Sequence, residues 1–291
     1  MQDARSHRRT GIALVVAAAI AWSTAPFFTR LLHFDSWTIL FWRGLFGGGC
    51  IALFVLLAQG WNGTTSLIRL SAGSVLVASL SALAMLAFIP ALQLTNTANV
   101  AIVIAAQPFT TAALAWLWLR ETPSNVTMLA SLVAFGGIAV TVSGAVTAAD
   151  HRAMALSVLM MLAFGGMTVA IRKHKDTPMV AAAALSNVIG SVVSVPFAHD
   201  LFEVSSREIG ILAMFGLFQV ALGLTLFSLG ARLLPSGRAS LIGTLETPLM
   251  PFWVWLAFSE VPSRRALIGG ALVLTAVVAD VLGNDRKLKA G

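Results

Sequence analysis

Residues 91–123, ALQLTNTANVAIVIAAQPFTTAALAWLWLRETP, and residues 231–262, ARLLPSGRASLIGTLETPLMPFWVWLAFSEVP, read as two copies of one unit. Overlaid, they bring Ala91 onto Ala231, the loop Thr95-Asn96-Thr97-Ala98 onto Pro235-Ser236-Gly237-Arg238, and Pro108 onto Pro248. After one deletion, Glu121-Thr122-Pro123-Ser124 meets Glu260-Val261-Pro262-Ser263. Upstream, Ile20-Ala21-Trp22-Ser23-Thr24 lies over Leu162-Ala163-Phe164-Gly165-Gly166, and Arg30 over Arg172. The period is about 140 residues, so two copies fill the chain.

Neither copy has the composition of a soluble domain. Of 291 residues, 58% are hydrophobic and 11% charged, against about 25% charged in ordinary globular chains. A mean hydropathy of +0.87 leaves too little polar surface to wet a globule. Soluble enzymes, disordered scaffolds and nucleic-acid binders are thereby disfavoured, despite a net charge of +7. The single cysteine, Cys50, lies in an apolar run and offers neither a disulfide framework nor a cysteine metal site.

Mostly uncharged runs at 11–31, 38–58, 74–92, 99–119, 126–146, 153–171, 179–198, 209–231, 240–258 and 266–283 are each long enough to cross a core ~30 Å thick. Turn or charged residues separate them, among them Asn62-Gly63, Asp150-His151-Arg152 and the stretch from Asp200 to Glu208. The fold expected is therefore an all-α membrane protein of ten transmembrane helices, five in each copy. A unit with an odd number of spans enters the membrane from opposite sides in its two copies, so the repeat is inverted. The division expected is a cytosolic tail at 1–10, repeats at 11–147 and 148–283, and a second cytosolic tail at 284–291.

The first apolar run follows Arg8 and Arg9 but is about twice the usual signal-peptide core and lacks a small-x-small cleavage site, so it reads as a retained span. Placing the N-terminus in the cytosol puts thirteen of the 19 Lys and Arg on that side and five on the other, leaving Arg43 inside a span. That is the positive-inside asymmetry, with both termini cytosolic in an inner membrane.

The stretch Leu226 to Arg232, then Arg238-Ala239-Ser240, Leu245-Glu246-Thr247-Pro248 and Phe258-Ser259-Glu260-Val261-Pro262 before Gly269-Gly270, closely resembles the EamA repeat of the drug/metabolite transporter superfamily. Both halves carry it. Within that group, Ala21-Trp22-Ser23-Thr24 resembles the first span of bacterial aromatic amino acid exporters of the YddG type. The resemblance implies a ten-span secondary exporter without cofactors, its cavity formed by spans one, three, four, six, eight and nine. In the first copy Gln107-Pro108 stands where the family usually has Glu-Pro.

Chemistry of other kinds lacks its residues. All five histidines lie in tails, loops or span ends, so a buried di-histidine haem or zinc site has no ligands. The four lysines are cytosolic, and no phosphate-binding G-x-x-x-x-G-K-[ST] occurs. No enzyme activity, metal or cofactor is expected, and transport would run on a gradient of the substrate or of an ion.

A few side chains are not required by packing alone. Trp22 sits roughly 17 Å into its span at about 1.5 Å per residue, beside Ser23, Thr24 and the helix-bending Pro26. Depth by itself is compatible with ordinary packing; the resemblance places Trp22 and its mate Phe164 in the cavity. Trp37, Trp61, Trp116, Trp118, Trp253 and Trp255 read as interfacial. Glu246 is the only carboxylate well inside a span, either neutral, bonded to backbone freed by prolines, or functional. Pro248 cannot donate to the Thr244 carbonyl, nor Pro108 to that of Ile104, so both are expected bends. Gln107 offers donor and acceptor to a zwitterion. Arg43 lies near enough to the outer face to snorkel, or could hold a carboxylate there. Met85, Phe88 and Phe227 suit a pocket for a large apolar side chain, though such stripes are also ordinary core. Gly47-Gly48-Gly49, Gly136-Gly137 and Gly269-Gly270 are expected to permit close helix packing.

The expected substrate site is Trp22, Ser23, Met85, Phe88, Gln107, Phe164, Phe227 and Glu246, and the expected partners are a small amino acid-like metabolite and the lipid bilayer. Carriers of nucleobase-, drug- or polyamine-like molecules, a channel, and a non-transporting sensor or assembly subunit share the composition. Any proton coupling carried by a carboxylate within the spans would pass through Glu246, but no second buried acid forms a relay, and transport down the substrate gradient is expected.

Overall fold

Hydrocarbon offers no hydrogen bonds, so each apolar run must satisfy its own backbone, and only helices do this within one segment. The computed structural model describes residues 2–68, 71–95, 97–143, 151–175, 179–199, 201–259 and 261–290. Among them are ten helical spans: Ser6–Arg30, Ser36–Leu57, Ala72–Ala91, Asn99–Leu119, Asn125–Val142, His151–Lys173, Met179–Phe197, Ser206–Ala231, Ser236–Phe258 and Arg264–Gly283. Each lies over one expected run. The expected end of the fifth span at 146, the boundary between 147 and 148, and Asn96, Asp150, Asp200 and Glu260 fall outside the described residues. The expected break at Asn62-Gly63 does not occur, because the helix begun at Ser36 continues to Ile68. A glycine inside a helix costs about 1 kcal/mol but keeps the hydrogen-bond ladder.

Packing obeys the repeat. The third span packs on the sixth and the first on the eighth, which are equivalent pairs when spans one to five are exchanged with six to ten. The second–eighth and third–seventh contacts are likewise equivalent, and the second–seventh, fourth–ninth and fifth–tenth pairs map onto themselves. This is the pairing of two inverted five-helix copies around a shared axis. Large apolar side chains such as Leu57, Leu129, Val192 and Leu256 face outward, as lipid requires.

Three spans break where prolines remove a donor. The first pauses at Thr24, before Ala25 and Pro26. The fourth pauses at Ala106, before Gln107 and Pro108. The ninth pauses at Thr244 and Leu245, before Glu246. The Thr244 carbonyl is not left open as expected: the Thr247 N–H bonds it at 3.1 Å, so the break tightens into a three-residue turn. Span six, with Thr168 where its mate has Pro26, runs unbroken from His151 to Lys173. At the entry to the second span, Asp35 accepts from the N–H groups of Trp37 at 2.8 Å and Thr38 at 3.0 Å. Burial alone would raise the Asp35 pKa, but these bonds, with that of the Thr38 hydroxyl, hold it below its ordinary value.

The glycine expectation divides. A Cβ on Gly269 would lie 2.2 Å from the Gly137 carbonyl oxygen, so the fifth and tenth spans cross backbone to backbone, whereas a Cβ on Gly136 or Gly49 would meet nothing within 4 Å. Gly269→Leu is therefore expected to destabilise the protein by about 3 kcal/mol or more, since no flexible side chain can yield, and Gly136→Ala to be neutral or to stabilise it by up to about 1 kcal/mol, the helix-propensity difference. Thermal unfolding in detergent, followed by size exclusion of the surviving fraction, checks both.

Candidate functional site

A cavity of about 110 Å³ lies between the two copies, many times the ~10–15 Å³ that one water needs. The first span contributes Trp22 and Ala25, and the third Ser81, Ala84, Met85 and Phe88. Across the seam, the sixth contributes Met160, Phe164 and Met167, the eighth Gln219, Val220 and Leu224, and the ninth Glu246 and Met250. The second span adds Arg43.

Of the eight residues expected at the site, Trp22, Met85, Phe88, Phe164 and Glu246 line this cavity. Phe227 does not; it is fully buried beneath it, forming a cluster with Trp22 at 5.0 Å and Phe164 at 5.3 Å between ring centroids. Trp22 meets Phe164, its own repeat mate, edge to face at 5.6 Å. The three rings make an aromatic floor. Trp22 reaches it because residue 223 is glycine, where a Cβ would stand 2.5 Å from the indole.

Ser23 is buried and turned away. Its hydroxyl donates to the Ile20 carbonyl at 2.7 Å and accepts from the Trp253 indole N–H at 2.8 Å, so it repairs the break in the first span. Trp253 is accordingly no belt residue; it ties the ninth span to the first, while Trp255 remains exposed. Gln107 is buried outside the lining, and the fourth span as a whole contributes nothing to the cavity wall. The reason is close packing: Thr111 of that span approaches Gly165 of the sixth and bonds Ser240 of the ninth at 3.2 Å.

Of its two expected readings, Arg43 departs from the first. It does not snorkel outward; it is 4% exposed and faces inward. The guanidinium lies 5.3 Å over the Phe215 ring and donates from Nη1 to Gln219 Oε1. Gln219 belongs to a π-helical stretch, Gly216–Leu224, whose extra residue per turn carries part of the cavity wall. A polar residue amid the eighth apolar run was as visible in the sequence as Gln107; the wide turn that presents it was not.

The residues that line this cavity belong to one side of the aromatic floor. Phe88 lines the cavity, while its repeat mate Ser228 is buried. Beyond the floor, Ser236, Arg238, Ala239, Ser240, Leu241 and Ile242 are all buried. Charged groups stitch that end together across the copies. Glu121 meets Arg172 at 3.7 Å and accepts from the Ser236 N–H and hydroxyl at 3.3 Å each. Arg172 also donates to the Arg232 carbonyl at 2.8 Å. Asp280, in the last turns of the tenth span, accepts from Arg238 Nε at 2.6 Å and from the Thr127 hydroxyl at 2.5 Å. Nothing in the local sequence marked this buried pair, which depends on the meeting of the fifth, ninth and tenth spans.

Residues 9–143 and 151–279 each match the EamA-like transporter family. No curated protein matches the chain in sequence. A solved crystal structure with 16% identity superposes with a TM-score of 0.81 over 96% of this chain and 99% of that one, a likeness that speaks for the fold alone. With both copies matched, ten apolar spans and a cavity between the halves, the chain belongs to the EamA-like transporter family.

Proposed function

We propose that the protein is a secondary exporter of amino acids with aromatic or large apolar side chains, working by alternating access. The observation that carries this reading is a cavity on the seam of two inverted copies, walled by Trp22, Phe164 and methionines, with space on one side of its floor and close packing on the other. Inverted copies make two mirror states of similar packing available, so the side now sealed opens as the other closes. A channel needs no sealed end, and a sensor needs no cavity of this size.

Trp22, Met85, Phe88, Phe164 and Glu246 would contact the substrate, with Phe227 bracing the floor from behind. Ser23 and Gln107 would act on the helix breaks. Transport would run down the substrate gradient. The termini and the stitched end of Glu121, Arg172 and Arg238 would face the cytosol of a cell with an inner membrane, as the charge asymmetry supports.

Counterflow of labelled phenylalanine in proteoliposomes tests the reading: saturable exchange supports a carrier, linear flux a channel, and no flux a protein without transport. Trp22→Ala and Gly223→Ala should each lower exchange about tenfold or more, the equivalent of losing one aromatic contact. Trp255→Ala, on an exposed ring, should stay within about twofold of wild type. Equal loss in all three at equal folded yield would contradict the site. For sidedness, in a Cys50→Ala background, cysteines replacing the exposed Glu203 and Ser263 should react with an impermeant maleimide on intact cells, and one replacing Lys175 should not. The reverse pattern would invert the orientation.

A further inference from the structure

Two opposite charges line one apolar cavity without meeting each other. Arg43 is buried, and among the described residues its guanidinium has a single side-chain acceptor, the neutral amide of Gln219; its Nε has no partner. No carboxylate of the described residues forms an ion pair with it. Glu246 lines the same cavity from the ninth span, and its carboxyl makes no hydrogen bond or ion pair within the described residues. A buried cation without a counter-charge is expensive in a membrane interior, and evolution keeps such groups where a ligand meets them. Gln219 cannot neutralise Arg43; it can only hold the fork in place, one donor engaged and the others free for a second acceptor.

We propose that Arg43 is the carboxylate anchor of the substrate site and Glu246 the receptor of its ammonium group, so that the cavity selects zwitterionic α-amino acids. This rests on the transport reading above and deepens it by naming the groups that read the two charges of the substrate. A guanidinium matches a carboxylate through two parallel N–H donors. Glu246 opens the helix that follows the break in the ninth span, where no side chain among the described residues bonds it. Trp22, Phe88, Phe164 and Met85 line the same cavity and offer an apolar wall for the side chain. Each half of the zwitterion thereby finds the charge the protein leaves open. A polycation would set one of its charges against Arg43, and a neutral nucleobase would leave both charges unmet, so both are rejected.

The test compares three probes on wild-type protein in proteoliposomes: L-phenylalanine, L-phenylalaninamide, which lacks the carboxylate, and 3-phenylpropionate, which lacks the ammonium. Competition against labelled phenylalanine exchange should rank phenylalanine at least about tenfold ahead of either analogue, the expected effect of one charge-assisted contact. Arg43→Gln should weaken phenylalanine about tenfold or more and leave phenylalaninamide unchanged, with Arg43→Lys intermediate. Glu246→Gln should weaken phenylalanine and spare 3-phenylpropionate. Equal competition by all three probes on wild type overturns the proposal without any variant, and so does an Arg43→Gln protein that loses phenylalanine and its amide alike. Wild type that exchanges no amino acid overturns the transport reading itself, whereas exchange indifferent to carboxylate and ammonium leaves that reading standing and removes only the roles of Arg43 and Glu246.

Discussion

The contact between Trp22 and Phe164, residues that occupy equivalent places in the two copies, is the hinge of the molecule's design. Their rings meet edge to face at 5.6 Å and rest on Phe227. Removing this cluster would join the cavity to the packed region beneath it. Its position on the pseudo-symmetry axis also means that both copies must place their first spans correctly for either ring to find the other. Gly223 on the eighth span gives Trp22 its room, and the break at Thr24, repaired by Ser23 and Trp253, turns the remaining part of that span toward the second copy.

From that floor the two ends of the molecule diverge. On one side the lining is soft and aromatic, with methionines from the third, sixth and ninth spans that can repack around ligands of different shape. On the other, the fourth and ninth spans touch through Thr111 and Ser240, and Arg238, Asp280, Glu121 and Arg172 bind the helix ends. The Thr111–Ser240 and Glu121–Arg172 contacts cross between the copies and are individually modest, so an exchange of such contacts between equivalent partners can open one end while it closes the other. The close crossing of the fifth and tenth spans at Gly137 and Gly269 stands apart from the cavity and suits a fixed strut.

Much of this was legible in the sequence because membranes simplify the code. Ten spans, their inversion and three helix breaks follow from apolar run length, an odd span count and three prolines. Glu246 stood out as the only carboxylate well inside a span, Trp22 and Phe164 were placed at the cavity by the resemblance to the EamA repeat, and Met85 and Phe88 could equally have been core. What the sequence hid was direction around a helix. For Arg43 depth alone left two readings open, snorkelling or holding a carboxylate, and the inward turn that places it over Phe215 depends on the eighth span passing close by at Gly216. Gln107 and Ser23 read as ligand contacts because both lie at breaks, yet a break also faces neighbouring helices, and there the fourth span is packed. The pair of Arg238 and Asp280 joins residues 42 apart in sequence that only the tertiary fold brings together.

The account turns on the sealed end having to open in each transport cycle. Thr111 Oγ1 and Ser240 Oγ stand 3.2 Å apart, close enough for cysteines at both positions to form a disulfide after a small adjustment. In a Cys50→Ala background, the doubly substituted protein should exchange phenylalanine when reduced. Oxidation, verified by mass spectrometry, should bring exchange to the level of empty liposomes, and reduction should restore it. Full exchange with the disulfide intact would contradict alternating access through this end of the molecule.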